Sequence, residues 1–375
     1  MNRDSSQPRP NLDVALRDDG VVSAWDETVH WRFTADEIET LYGAAGEIHA
    51  MAVEAVGHVV EGRLYPLFGL TPEAGEAVGA SWRSRDREMD LVTRLTLAWN
   101  GSDAPRLVSF QADSPSGLVE AAIAQWRWKE SRFPGSDQFN SIDDDLGERM
   151  KALRALVPGV SNAVVTHLEG DASGEGQMAY IAKLAAYAGL EIERLPLQQI
   201  GWSDETREFY DMQEREIRLM FKSHPWQWLI ADRFGENLMR SCSRERIEVV
   251  EPAWKLLLTN RAINAVLWEK YPFHPNLLET VTDPTMMVVS TDCLAIPKFA
   301  DVGHAVREGR IESGRFVCPT AAPEGEEGEI LQERPPHALG IEVLFDLWMI
   351  GGEAKGLGVR EMRDEGETFV PHRFD

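Results

Sequence analysis

The sequence predicts an α/β (α+β) fold, on three patterns. NAVVTHL (162–168) reads as an apolar strand, MAYIAKLAAYAGL (178–190) as a helix and IERLPL (192–197) as a second strand, together a βαβ unit. Residues 90–127 read as a pair of strands followed by a helix. IEVLFDLWMIGGEAKGLGVRE (341–361) reads as a hairpin turning through Gly351 and Gly352.

In chain order, residues 1–20 read as a flexible polar tail, with two prolines and no apolar core of a leader peptide. Thr34 and Glu37 form a capping box ahead of a helix with apolar positions Ile38, Leu41, Ala45, Ile48, Ala52, Val53 and Val56. In 107–128 an extended run with Leu107, Val108 and Phe110 leads through Asp113, Ser114, Pro115, Ser116 and Gly117. An amphipathic run with Leu118, Ala121, Ala122, Ala124 and Trp126 follows. Such a turn can receive an anion at the helix N-terminus, or Ser114 or Ser116 can simply cap the helix. FPGSDQFNS (133–141) is a linker rich in turn formers. Residues 208–221 read as a helix that ends before Pro225, and Trp226 and Trp228 as core aromatics. EPAWKLLLTNRAINAVLWEKY (251–271) reads as mostly helical, and PEGEEGEILQERPP (323–336) as an acidic turn leading into a strand.

Composition bounds the function. With 43% hydrophobic and 27% charged residues over 375 positions, the chain is of ordinary globular make-up, with room for more than one core. Sixty-two acidic against 38 basic residues give a net charge of −24, which repels nucleic acid and suits polyamines or basic peptides, or a solvated surface. Three widely spaced cysteines, Cys242, Cys293 and Cys318, fit no zinc pattern and read as reduced thiols of a cytoplasmic protein. No stretch has the apolar length of a membrane span.

Several blocks carry a more specific signal. The strand-turn-helix above holds Ser109, Gln111, Ala112, Asp113, Ser114, Ser116, Glu120 and Trp126. SRDREMDLVTRLTLAW precedes it, and FNSIDDDLGERM, MFKSHPWQWL, VEPAWKLLLTNRAINAVLWEKYPFHPNLL, GLGVRE and FVPH follow. In these blocks the chain resembles the glutathionylspermidine synthase family of ATP-grasp ligases, over residues 80–282 and 330–372. The resemblance implies an ATP-grasp fold with a preATP-grasp βαβ domain, arranged as a tail (1–20), an N-terminal lobe (21–155), the βαβ domain (156–230) and an ATP-grasp lobe (231–375). It implies ATP and Mg²⁺ as cofactors, with the ion neutralising phosphate charge as a carboxylate is joined to an amine. Arg94 and Asp113 would be catalytic, Ser114, Ser116, Glu120 and Arg360 would bind substrate, and Arg261, Gln332 and Glu333 would bind the nucleotide.

The departures from the family pattern fall on its chemistry. Its metal ligands, an Asp, a Glu and an Asn, are here Thr96, Ser109 and Gln111, two of them without the charge a hard cation prefers. Its Val-Lys-Pro reads Val289, Ser290, Thr291; its Glu-Asp-x-Gly-Thr reads Ser173, Gly174, Glu175, Gly176, Gln177; and its Arg-Glu-Asp reads Arg360, Glu361, Met362. These replacements predict a catalytically impaired or inactive homologue that needs no cofactor and works as a binding or regulatory subunit, beside an active paralogue or as a homo-oligomer. The alternative is an active ATP-dependent ligase joining a peptide-like carboxylate to an amine or polyamine, with Asp113 or Glu120 holding the ion.

Overall fold

A computed structural model describes residues 1–6, 24–157, 159–160, 162–231, 233–299, 306–320 and 328–375. Of the expected tail, 7–20 therefore lie outside the described residues, as do the glutamates of 323–327. Asn2–Ser5, expected as tail, is instead a strand, β1. It pairs antiparallel with β2 (Val29–Phe33), which pairs on its other edge with β19 (His372–Phe374). Arg3 anchors it by donating from Nε and Nη2 to the Glu361 carboxylate at 2.6 and 3.0 Å.

The core is an antiparallel sheet in the order β18 (Gly366–Phe369), β17 (Glu353–Arg363), β16 (Val343–Ile350), β3 (Thr93–Ala98) and β4 (Arg106–Gln111). Every residue of β3 and β16 is buried, so these runs lack the alternation of a half-exposed strand. The expected hairpin joins β16 to β17, and Gly351 and Gly352 take φ of 60° and 87°, the positive values its tight turn demands. Helix α1 (Ala35–Gly62) packs on this sheet with eleven buried residues, and its expected capping box is closed by Thr34 and Glu37. The expected helix after Gly117 runs through a π turn, Glu120–Ala124, into α3 (Gln125–Arg132), and with α4 (Ile142–Leu156) covers the sheet elsewhere. Between α1 and these lies α2 (Pro72–Ser84). Trp126, placed on the apolar face from its spacing, is 48% exposed, whereas Trp128, about 200° around the helix, is fully buried.

The βαβ unit forms as expected: β5 (Ala163–His167), α5 (Ala172–Tyr187) and β6 (Ile192–Pro196). It belongs to a parallel sheet in the order β10 (Glu248–Val250), β9 (Leu219–Lys222), β5, β6. This overturns the helix expected over 208–221. The segment forms β8 (Glu208–Tyr210), paired with β7 (Gly201–Ser203), and then the wholly buried β9. Arg207 and Glu214 have φ of 60° and 59°, which turn the chain where a helix would continue. β10, from helix α6 (Arg233–Cys242) onward in the chain, completes this sheet from beyond residue 230, and β16–β18 complete the sheet of β3 and β4. Each of these two sheets thus draws strands from distant parts of the chain.

A third sheet runs β11 (Thr280–Val281), β15 (Glu329–Glu333), β12 (Asp292–Pro297), β13 (Arg307–Glu312), β14 (Arg315–Val317), and follows helix α7 (Ala262–Lys270). No helix among the described residues is long and apolar enough to cross a membrane.

Candidate functional site

In the parallel sheet the chain steps from β5 to β6 on one side, then returns to β9 on the other. Connections leaving adjacent strands in opposite directions open a crevice at their carboxyl ends. A cavity of about 240 Å³ lies there. Asp171, Ser173, Gly174 and Gln177 line it from beyond β5, Ser223, Pro225, Gln227 and Trp228 from beyond β9. The opposite wall is the end of β4 and its turn, with Gln111, Asp113, Ser114 and Ser116, plus Thr259. Four expected positions therefore meet in one crevice, together with the segment where Ser173, Gly174 and Gln177 replace the family's motif. Trp228, expected in the core, is 52% exposed at the mouth; Trp226 is the buried one, and its indole N–H donates to the Glu251 carbonyl at 2.9 Å.

Asp113 is 1% exposed and fully engaged. Its Oδ2 accepts from the Trp226 amide at 2.6 Å and its Oδ1 from the Thr259 hydroxyl at 2.9 Å. Its backbone carbonyl accepts from Lys222 Nζ at 2.9 Å. Burial pushes the Lys222 ammonium down to about 8, against the pull of Asp113 and Glu251. Ser116 does not serve as the expected cap. It is turned back: its carbonyl and hydroxyl accept from Arg94 Nη1 at 2.7 and 3.3 Å, and its amide donates to Gln111 Oε1 at 3.3 Å. Glu120 is 4% exposed in the π turn.

Arg94 leads from the crevice into a sealed cluster. Asp346, on β16, accepts from Arg360 Nε at 2.5 Å and Nη2 at 2.8 Å, and from the Thr96 hydroxyl at 2.7 Å; Arg94 Nε lies 3.8 Å away. Arg360 also reaches Glu367. Burial opposes charge on Asp346, yet the Arg360 and Arg94 guanidiniums outweigh it and hold the carboxyl below its ordinary range. Thr96 stands opposite Ser109 in the β3–β4 register, and the buried Ser109 hydroxyl has no partner among the described residues. Of the three positions expected to have lost metal ligands, Thr96 thus bonds a carboxylate already held by two arginines, Ser109 stands opposite it, and Gln111 accepts from the Ser116 amide. Among the described residues no three His, Cys, Asp or Glu side chains gather as they would around an ion. Asp346 escaped the sequence reading, although an acid inside the apolar run VLFDLWMI demands a buried partner.

Of the nucleotide positions, Glu333 meets the other end of β4 at Arg106, about 17 Å along a six-residue strand, and Arg261 meets its middle at Val108. Arg261 is 4% exposed and donates to the Val108 carbonyl at 3.4 Å. Gln332 is 1% exposed and donates from Nε2 to the Thr280 hydroxyl at 3.1 Å. Glu333 accepts Arg106 Nη1 on both oxygens at 2.9 Å. Ser290, in place of the family's Lys, gives its amide to the Glu279 carboxylate at 2.9 Å. Glu361 is held by Arg3, Trp31 and Arg363.

Residues 12–375 match the sequence profile of the family described as glutathionylspermidine synthase preATP-grasp, and the chain belongs to that family. A putative acid–amine ligase of Haemophilus influenzae is 28% identical over 368 residues, covering 93% of this chain and 91% of that protein. The bifunctional glutathionylspermidine synthetase/amidase of Escherichia coli is 24% identical over 302 residues, 74% of this chain and 47% of the enzyme. Trypanothione synthetase of Crithidia fasciculata is 22% identical over 340 residues, 84% of this chain and 51% of the enzyme, so the chain spans about half of these two relatives. Among solved structures, a glutathione synthetase-like effector of Globodera pallida in its apo form aligns with TM-score 0.57 at 8% identity, over 97% of this chain and 96% of that one. That likeness is one of fold, and the fold is of the ATP-grasp type.

Proposed function

We propose that this member of the glutathionylspermidine synthase family is a binding or regulatory protein, in which the crevice takes an amine- or peptide-like ligand and Mg-ATP chemistry is disabled. The observation that carries the reading is the state of Asp346. Mg²⁺ asks for near-octahedral oxygen ligands, among them carboxylates. Thr96 and Ser109 supply neutral hydroxyls, and the Asp346 carboxylate is closed by Arg360, Arg94 and Thr96. A divalent cation there would also face two guanidiniums, and like charges repel strongly where water is excluded. This donor set does not fit the ion.

The crevice supports the binding half of the reading. Among the described residues its lining has hydroxyls, amides, Trp228 and the Asp171 carboxylate, with no Lys or Arg, which suits an amine more than an acid. A cytoplasmic location and a partner, a second copy or an active paralogue, complete the reading.

Calorimetry tests it. Mg-ATP should give no magnesium-dependent heat, while spermidine or glutathione raises the melting temperature without nucleotide. Magnesium-dependent ADP formation with a carboxylate and an amine would overturn the reading and favour an active ligase. That second reading draws on the buried Arg94 and Arg360, and it requires an ion ligand other than Asp113, whose carboxylate oxygens hold Trp226 and Thr259. Restoring the acidic ligands through Thr96→Asp, Ser109→Glu and Gln111→Asn should create magnesium-dependent ATP binding absent from the parent.

A further inference from the structure

Two guanidiniums and one carboxylate are sealed together beneath the crevice: Arg94 is 3%, Arg360 5% and Asp346 0% exposed. The two-point contact of Arg360 on Asp346, at 2.5 and 2.8 Å, is the geometry with which arginine grips any carboxylate or phosphate. Arg94 adds a second positive charge 3.8 Å from the same carboxylate, and its Nη1 touches Ser116, which lines the crevice. Only a thin turn intervenes. A methyl group added at Gly117 would lie 3.7 Å from Arg94 Nη1, and φ of 84° there is one that glycine tolerates. The crevice lining itself has no Lys or Arg among the described residues.

We propose that Asp346 is an internal counter-anion filling an oxyanion site made by Arg94 and Arg360, so that the crevice rejects ligands bearing a carboxylate or phosphate at this end. The inference rests on the reading that the crevice binds a ligand, and it adds which chemistry is excluded and by what. A tethered carboxylate competes at a high effective concentration, whereas a free anion must also approach past Asp113 and Asp171. Removing the tethered group leaves two arginines facing a space that a small oxyanion fills.

The test uses the full chain with inorganic phosphate as probe, at ionic strength balanced with chloride. D346S should gain saturable phosphate binding, seen as a rise in melting temperature about 3 °C or more beyond that of the parent. The gain should vanish in the R94M/D346S double variant and be absent from D346E, which keeps the charge. A folded D346S that responds to phosphate no more than the parent overturns the proposal. Where D346S fails to fold in chloride, recovery on refolding in phosphate supports it, and equal failure in both salts overturns it. Spermidine and glutathione titrations of the parent separate the two ideas. A parent that binds neither defeats the ligand-binding reading, while phosphate uptake by D346S stands or falls by itself.

Discussion

The two ends of β4 carry residues of the same family signature under opposite conditions. At the Gln111 end the turn opens onto a cavity: Trp228 is half exposed, and the Ser223 hydroxyl at the crevice wall has no partner among the described residues. From the middle of the strand to the Arg106 end, Arg261 donates to Val108, Gln332 to Thr280, and Glu333 receives Arg106. The difference teaches that residues of one signature can meet opposite surroundings along one strand. A side chain bonded to a neighbouring strand and one lining a cavity read alike in sequence.

The largest break in this comparison should come from Asp113, the fixed point of the open end. Asp113→Ala leaves the Trp226 amide and Thr259 hydroxyl without an acceptor and Lys222 without its nearest carboxylate, and should lower stability by about 3–5 kcal/mol in denaturant melts. A cost under 1 kcal/mol would mean that the crevice wall is not held this way.

Acid should act next. Burial pushes His224 and His372 down to about 3, so both are neutral in the folded chain near neutral pH. Their folded values lie below the unfolded 6.5, so the unfolded chain takes up protons first. Stability is therefore full above pH 6.5 and falls as pH drops toward 4, each group adding up to about 1.4 kcal/mol per pH unit. Replacing His224 with Leu should reduce the acid slope of the urea midpoint by one proton's worth, and an unchanged slope would refute the assignment.

Thr259→Val, which removes one hydroxyl from the Asp113 cluster, should cost about 1–2 kcal/mol by the same melts. Trp228→Ala sharpens the comparison from the other direction. Stability should change by less than about 0.5 kcal/mol, while spermidine binding, read by calorimetry without nucleotide, weakens about 2- to 5-fold. Loss of fold in this variant would contradict its exposed position.

Local signals with a mechanism were legible. The Thr34–Glu37 capping box, the βαβ unit and the Gly351–Gly352 hairpin each rest on contacts within one stretch of chain. Residues 208–221 were misread because the apolar Leu219, Met220 and Phe221 fit either period, and only the neighbours β5 and β10, paired at separations of 56 and 29 residues, make them a strand. The joining of β16–β18 to β3 and β4 was hidden for the same reason, since strand partners from the C-terminal third are invisible to periodicity. At the site, the uncharged Thr96 and Ser109 were readable, whereas the Asp346 carboxylate beside Thr96 depends on a β3–β16 register that no local pattern reports.

Glu279 has a wider consequence. Its carboxylate, with no solvent exposure, accepts the amides of Val288, Val289 and Ser290 in succession, at 2.7, 2.8 and 2.9 Å. Val288 and Val289 nevertheless turn their side chains outward, 72% and 56% exposed. The segment thus shows solvent a greasy face over a pinned backbone: its amide protons should exchange slowly with deuterium, and a single carboxylate leashes the root of the third sheet.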